Sequence, residues 1–233
     1  METPSNLVTV AADSPQVLYL NRADPLFRFV SARVGPLAYR VIARPFSNMV
    51  ETIVGQMLSV KAADCIIRRL YALCGGSLTP ETLNGLDVPA LRGIGLSGAK
   101  AGYILALAGR VAEEPDFFGL LSHFPDEEVL RRLTAQRGIG TWSAKMFLIF
   151  DLDRADVLPY EDGAFLQAYR WLYGTDDTKP AAVRARCAPW SPYSSLAARY
   201  MYQALDMGLT RDTETGEQLE IYRASLESER AQK

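Results

Sequence analysis

Residues 133–146, Leu-Thr-Ala-Gln-Arg-Gly-Ile-Gly-Thr-Trp-Ser-Ala-Lys-Met, constrain the fold more than any other part of the chain. An apolar helical stretch leads into Gly138-Ile139-Gly140, and a second helix begins at once. Two glycines one residue apart allow the positive φ angles that a tight hairpin between helices needs. They also leave backbone N–H groups uncovered at the N-terminus of the second helix, and such a terminus attracts anions. The segment therefore predicts a helical hairpin that binds an anion such as a phosphate.

The rest of the chain is also helical in pattern. Apolar residues recur at spacings of three and four in several segments, which is the spacing of one helix face. These segments are 46–58, 62–73, 91–111, 163–173 and 196–209, of which 91–111 contains a second glycine hairpin. No stretch alternates apolar and polar residues over the length of a strand. The pattern predicts an all-α fold.

The composition excludes several kinds of site. The chain has 233 residues, a net charge of −2, three widely spaced cysteines and a single histidine, His123. Three cysteines cannot supply a four-cysteine iron–sulfur cluster, and their spacing argues against a disulfide framework or a zinc site. No apolar run is long enough to span a bilayer, and residues 1–6 lack the pattern of a signal peptide. An intracellular, cytoplasmic protein is therefore expected, associated with the nucleoid if it is bacterial.

Asp162 is the strongest candidate for a catalytic group. It follows a loop and directly precedes a predicted helix. Taken alone, an Asp at this place is an N-cap, because its carboxylate accepts hydrogen bonds from the first N–H groups of the helix. The two roles are compatible, since an ionised carboxylate also stabilises positive charge that develops in a reaction. Glu161 is the competing carboxylate.

Several segments, taken in their order along the chain, resemble a single family. Besides the hairpin and Asp156-Val-Leu-Pro-Tyr-Glu-Asp162, they are Arg22–Leu26, Gly35-Pro36, Phe46–Ala63, Leu91–Tyr103 and Trp190–Tyr202. From about residue 20 to 210 the chain resembles the helix-hairpin-helix (HhH-GPD) DNA glycosylase superfamily, and within it 3-methyladenine DNA glycosylase II, the AlkA type.

The resemblance implies two helical lobes with the active site in the cleft between them. Residues 44–150 would form a central lobe that contains the helix-hairpin-helix at about 127–150. Residues 1–43 and 151–233 would form the terminal lobe. The N-terminal β-rich domain of longer members is expected to be missing.

The resemblance also implies an activity in base-excision repair. Such enzymes flip a damaged nucleotide out of double-stranded DNA and hydrolyse its N-glycosidic bond, which leaves an abasic site. Asp162 would then be the catalytic residue. Trp142 stands where bifunctional relatives have a nucleophilic lysine, and Trp cannot form a Schiff base, so no lyase activity is expected. Lys145 is close in sequence but is expected on another side of the helix.

The remaining site residues follow from the same resemblance. Four positions match the pocket for the flipped base: Trp142, Met146, Gly163 and Tyr202. Met57, after Gln56, matches the side chain that fills the gap left by the flipped nucleotide. The backbone of Gly138, Gly140 and Thr141 would hold a DNA phosphate. The backbone carbonyls of Thr134, Gln136 and Ile139 match a site for a structural Na⁺ or K⁺, and no catalytic cofactor is expected.

Some residues leave alternatives open. Gly163 and Met146 replace possible pocket aromatics and predict a wider pocket, whereas Ser194 replaces a common Arg and predicts a weaker hold on DNA or looser helix packing. Met57 would more often be a buried residue of an apolar helix face, and Trp142 a core aromatic. With an acidic pI of about 5.6, a catalytically silent DNA-binding protein and a helical scaffold stay possible. A monomer that acts on double-stranded DNA with alkylated bases is the favoured interpretation.

Overall fold

The computed structural model describes residues 7–232, which form fourteen α-helices and two short β-strands. The strands are β1 (Leu7–Val10) and β2 (Leu37–Arg40). The helices are α1 (Pro15–Ala23), α2 (Pro25–Val34), α3 (Pro45–Gly55), α4 (Val60–Leu73), α5 (Pro80–Asn84), α6 (Val88–Gly93), α7 (Gly98–Glu113), α8 (Phe117–Leu121), α9 (Asp126–Thr134), α10 (Thr141–Phe150), α11 (Gly163–Tyr173), α12 (Pro180–Cys187), α13 (Ser194–Asp206) and α14 (Thr213–Ala231). Across these residues every helix is too short or too polar to traverse a bilayer.

Local sequence determines where many helices begin. Side chains of Ser, Thr or Asp accept a backbone N–H of the first turn, as N-caps do. Those residues are Ser14, Asp24, Ser59, Thr79, Asp87, Ser97, Asp162 and Asp212. Several helices also begin with Pro, whose missing N–H costs nothing at that position. The predicted all-α fold is confirmed in its helical content.

One small ribbon departs from the sequence prediction, which contained no strand. β1 and β2 pair antiparallel, with Leu7 opposite Arg40 and Val10 opposite Leu37. Each strand has four residues, and β1 alternates only between exposed and half-buried positions. An alternation this short and this weakly buried carries little signal in the sequence.

The described chain divides into two compact units. The central unit is Ile42–Leu152 and contains α3 to α10, and so both glycine hairpins. The terminal unit comprises the described residues of Asn6–Val41 and Asp153–Lys233. Each unit has its own apolar interior. In the terminal unit the largest buried side chains are Phe27, Phe165, Tyr169, Trp190 and Tyr200.

Candidate active site

The glycine hairpin of the central unit joins α9 to α10. Gly138 has φ +88°, in the left-handed region. A Cβ at Gly138 would lie 2.3 Å from two carbons of the Tyr103 side chain, so the backbone passes directly over that ring. Gly140 is different: its φ is −92° and a Cβ would meet nothing within 4 Å. Of the two glycines, only Gly138 therefore uses the positive φ that the sequence analysis assigned to the pair.

The N-terminus of α10 has the features of an anion site. Gly140 is its N-cap and, having no side chain, makes no capping hydrogen bond to the first turn. Gly140 and Thr141 are both exposed. The first N–H groups of a helix have no partner within the helix, and the helix dipole adds positive potential there.

Met57 follows the end of α3, and here the structure corrects the sequence analysis. The apolar pattern extended that helix to residue 58, with Met57 on its buried face. The helix ends at Gly55, and Met57 is fully exposed with φ +57°. Gln56 beside it donates from Nε2 to the Gly138 carbonyl at 2.9 Å and to Ser143 Oγ at 3.1 Å. The turn that carries Met57 is thus bonded to the glycine hairpin.

Asp162 lies in the terminal unit as the N-cap of α11. Its Oδ1 accepts the backbone N–H of Phe165 at 2.7 Å, and the residue is 8% exposed. The carboxylate is therefore held in one orientation by the helix it begins. Glu161, the competing carboxylate, is exposed.

Tyr202 of α13 interacts with Asp162. The pKa of Tyr202 is raised well above its usual value, first by burial and then by the charge of nearby Asp162. Tyr202 is half-buried, and its phenol stays protonated at neutral pH, so it can serve as a hydrogen-bond donor. Gly163, next to Asp162, is exposed, and a Cβ there would meet nothing within 4 Å.

The N-terminus of α13 holds the loop that leads to Asp162. Ser194 donates from Oγ to Asp156 Oδ1 at 2.5 Å, and its backbone N–H donates to the same oxygen at 3.2 Å. The next residue, Ser195, accepts the Val157 backbone N–H on Oγ at 2.9 Å. Ser194, noted in the sequence only as the loss of an Arg, therefore fixes the loop through a carboxylate.

One turn further along α13, Arg199 is a buried cation. It is 6% exposed, pairs with Asp153 at 3.1 Å and lies 3.8 Å from the centroid of the Tyr39 ring. Burial lowers the pKa of its guanidinium. Asp153 has φ +49°, in the left-handed region that Asp adopts more readily than most residues with a side chain. A buried charge that loses its partner is costly, so this pair fixes the first residue of the loop.

Trp142 and Met146 lie on α10 in the central unit. Trp142 is half-buried in the first turn, whereas Met146, one turn later, is 9% exposed. Lys145 is buried at 6% exposure and has interactions within the protein. The exposed face of α10 at its first turn is thus formed by Thr141 and Trp142.

The predicted cation ligands lie at the end of α9, which Thr134 completes, and in the turn that follows it, which contains Gln136 and Ile139. Ile139 donates its backbone N–H to the Gln136 carbonyl at 3.1 Å. A carbonyl oxygen has a second lone pair, which fits the predicted use of this turn as a ligand for Na⁺ or K⁺. Among residues 7–232, no three His, Cys, Asp or Glu side chains come together in a way that could hold a metal ion.

Sequence reasoning missed the residues that fix the loop: Asp153, Asp156, Ser195 and Arg199. One signal was present for Arg199, because it is the only charged residue in a mostly apolar run of α13, Leu196–Leu205. The partners of Ser195 are backbone groups, which leave no trace in composition.

The profile of the family described as "HhH-GPD superfamily base excision DNA repair protein" matches residues 50–192. That range includes both glycine hairpins, Met57 and Asp162. The chain belongs to the HhH-GPD superfamily. It is 31% identical over 171 residues to DNA-3-methyladenine glycosylase 1 of Schizosaccharomyces pombe. The matched region covers 68% of this chain and 72% of the relative.

Solved structures of HhH-GPD relatives agree with this assignment. DNA-3-methyladenine glycosidase from Bacillus halodurans has 34% identity and a TM-score of 0.74, covering 84% of this chain and 92% of the relative. The S. pombe 3-methyladenine DNA glycosylase in complex with abasic DNA has 25% identity and a TM-score of 0.72, covering 82% and 96%. The all-α HhH-GPD fold predicted from the sequence is confirmed.

Proposed function

We propose that this chain is a base-excision-repair DNA glycosylase that hydrolyses the N-glycosidic bond of alkylated bases and leaves an abasic site. The observation that carries the proposal is Asp162, a buried carboxylate held by the first turn of α11 inside the segment that matches the family. The relatives named as 3-methyladenine glycosylases support the alkylated-base substrate.

Asp162 supplies the electrostatic part of the reaction. As the glycosidic bond breaks, positive charge moves from the alkylated base to the sugar, which becomes an oxocarbenium-like cation. A fixed carboxylate beside the sugar therefore stabilises the transition state more than the ground state. The cap on α11 holds the carboxylate in place, so little reorganisation is needed during the reaction. The same carboxylate orients the attacking water.

The chemistry is hydrolysis without strand cleavage. Trp142 occupies the position of the nucleophilic lysine in bifunctional relatives, and its indole cannot form a Schiff base with the sugar. An alkylated purine already carries positive charge and is a good leaving group, which suits a chain with a single histidine. Trp142, in the central unit, and Tyr202, in the terminal unit, each offer an aromatic face that attracts a cationic base by cation–π interaction, whereas Met146 and Gly163 offer none.

Duplex DNA is held by the central unit. The open N-terminus of α10 at Gly138, Gly140 and Thr141 binds a phosphate through backbone N–H groups, and a Na⁺ or K⁺ on the carbonyls of Thr134, Gln136 and Ile139 adds positive charge beside it. Met57, exposed and next to Gln56, fills the space that the flipped nucleotide leaves. The protein acts as a monomer inside the cell, where its DNA substrate lies.

Base release from methylated duplex DNA tests the proposal. The protein is incubated with DNA that contains 3-methyladenine and 7-methylguanine, free bases are separated by chromatography, and strand breaks are scored with and without hot alkali. We expect free methylated base, and breaks only after alkali. Breaks that appear without alkali would show lyase chemistry, and DNA binding without base release would favour a silent DNA-binding protein.

A further inference from the structure

We propose that Lys100 and Gln56 are positioning residues that hold Met57 in its exposed, left-handed conformation and join it to both glycine hairpins. The inference rests on the proposed function, in which Met57 enters the DNA. It assigns to Lys100 a role inside the protein rather than at a phosphate.

Met57 has a conformation that the local sequence does not favour. An L-residue other than Gly, Asn or Asp seldom adopts a positive φ, because its Cβ crowds the backbone. Met57 has φ +57° and its whole side chain is exposed. An apolar side chain gains nothing from exposure in the free protein. Such a conformation persists only when the surrounding structure enforces it.

Lys100, on the first turn of α7, supplies the first restraint. Its Nζ donates to the Val54 carbonyl at 2.8 Å and to the Gln56 carbonyl at 2.6 Å. These are carbonyls at the end of α3, where the helix has unpaired acceptors and the negative end of its dipole. Charge-assisted hydrogen bonds are among the stronger ones in proteins. The ammonium therefore fixes the peptide that directly precedes Met57.

The Gln56 side chain supplies the second restraint. Nε2 bonds to the carbonyl of Gly138 and to Ser143 Oγ, on the two sides of the hairpin between α9 and α10. Gln56 is therefore joined through its backbone to the hairpin before α7 and through its amide to the hairpin before α10. Met57 is placed in a fixed register with the N-terminus of α10, which binds the phosphate.

A lysine near a DNA surface is ordinarily taken to bind a phosphate. Loss of a phosphate-binding lysine and loss of a lysine that positions Met57 change the salt dependence of DNA binding differently. Removing a phosphate-binding lysine lowers the slope of log Kd against log salt by about one. Lys100 donates two hydrogen bonds to the carbonyls of Val54 and Gln56, and burial lowers the pKa of its ammonium group. Its loss is expected to weaken DNA binding without changing that slope.

The test compares Lys100→Met, Met57→Ala, the double variant and the control Lys61→Met. Lys61 is an exposed lysine in the first turn of α4, close in sequence to Met57, so the control removes the same charge without touching the carbonyls. The probe is a duplex with a tetrahydrofuran abasic analogue beside 2-aminopurine, whose fluorescence rises when a side chain unstacks it. This readout needs no catalysis.

We expect Lys100→Met, which removes both charge-assisted hydrogen bonds of Lys100, to raise Kd for the abasic duplex by at least about tenfold and to reduce the fluorescence rise. In the Met57→Ala background, the same change should alter Kd less than about twofold, because the two residues act through one turn. Hydrogen exchange of the 54–60 segment should be faster in Lys100→Met without DNA. Lys61→Met should keep both the exchange and the fluorescence of the parent.

The outcomes separate this inference from the proposed function. If Met57→Ala leaves fluorescence and Kd unchanged, Met57 does not enter the DNA and that part of the proposed function is wrong. The inference is overturned if Met57→Ala raises Kd and lowers the fluorescence, yet Lys100→Met raises Kd by the same factor in the Met57→Ala background as in the parent. It is also overturned if Lys100→Met lowers the slope of log Kd against log salt by about one. Either result would make Lys100 a phosphate contact. If the parent releases no base, the binding and exchange results still decide the role of Lys100.

Discussion

Gly138→Ala is expected to reduce stability and Gly140→Ala to weaken DNA binding, although the two residues are separated by a single position. Gly138 has φ +88° and lies against the Tyr103 ring, where a Cβ would approach ring carbons to 2.3 Å. Gly140 has φ −92° and open space around its Cα. Gly138→Ala should therefore disturb the packing of the fold, whereas Gly140→Ala should mainly hinder a ligand that approaches from outside.

The loss of stability expected for Gly138→Ala has two contributions. An L-residue in the left-handed region costs about 1–2 kcal/mol, and an extra group forced against a packed ring costs about 1–3 kcal/mol. We therefore expect the free energy of unfolding to fall by about 2–5 kcal/mol. Gly140→Ala should lower it by only about 1 kcal/mol, because Ala is a poorer N-cap than Gly but adopts the φ of −92° without strain. The same Ala places a methyl group where a phosphate would approach, so Kd for duplex DNA should rise.

Chemical denaturation of both variants, together with DNA binding measured at one salt concentration, tests this reasoning. Equal stability for Gly138→Ala and the parent would refute the argument from φ and from Tyr103. A Gly140→Ala protein that is as stable as the parent and binds DNA equally well would refute the assignment of a phosphate to the N-terminus of α10.

Three further predictions concern buried polar groups. Burial raises the pKa of Asp151 to about 8, with the hydrogen bond from Asn48 and the charge of Glu51 as smaller influences. Since the unfolded chain ionises this group near its usual 3.8, the contribution of Asp151 to stability is fully present below about pH 4 and is lost as the pH rises to about 8. The free energy of unfolding of Asp151→Asn, relative to that of the parent, should therefore rise by about 3 kcal/mol or more between pH 4 and pH 8, as measured by urea unfolding. A difference that does not change with pH would contradict the raised pKa of Asp151. Tyr202→Phe keeps the ring but removes the hydroxyl next to Asp162, and should lower single-turnover base release about tenfold with unchanged DNA affinity; an unchanged rate would refute a positioning role. Arg199→Met should destabilise the protein by about 3 kcal/mol in thermal unfolding, and a stability equal to the parent's would show that the pair with Asp153 fixes nothing.

Local sequence predicted the helices well because their signals are local. α11 follows Asp162 and spans Gly163–Tyr173 as predicted, and the glycine hairpin identified the start of α10. The error at α3 has a physical reason. Residues 46–58 continue the apolar spacing of a helix, but tertiary contacts end the helix at Gly55. Lys100 and the hairpin at Gly138 supply these contacts, and both are distant in sequence.

The candidate site was predicted in part for a similar reason. Asp162 was found because its role coincides with a local pattern, an acid at a helix start. The residues that hold its loop were not found, because the contacts of Ser195 with Val157 and of Arg199 with Asp153 span 38 and 46 positions. The conformation of Met57 could also not be predicted from the sequence, since nothing in the neighbouring residues favours a positive φ there.

The central claim is that Asp162 enables hydrolysis of the glycosidic bond, and single-turnover release of 3-methyladenine from duplex DNA by the parent and by Asp162→Asn tests it most directly. Asn still accepts the Phe165 N–H, so unfolding and DNA affinity are measured alongside to show that the variant is intact. The account predicts release by the parent and a loss of at least about a hundredfold in the variant, with folding and binding retained. Equal release by both proteins would contradict the assignment of Asp162, and release by neither would contradict the proposed activity.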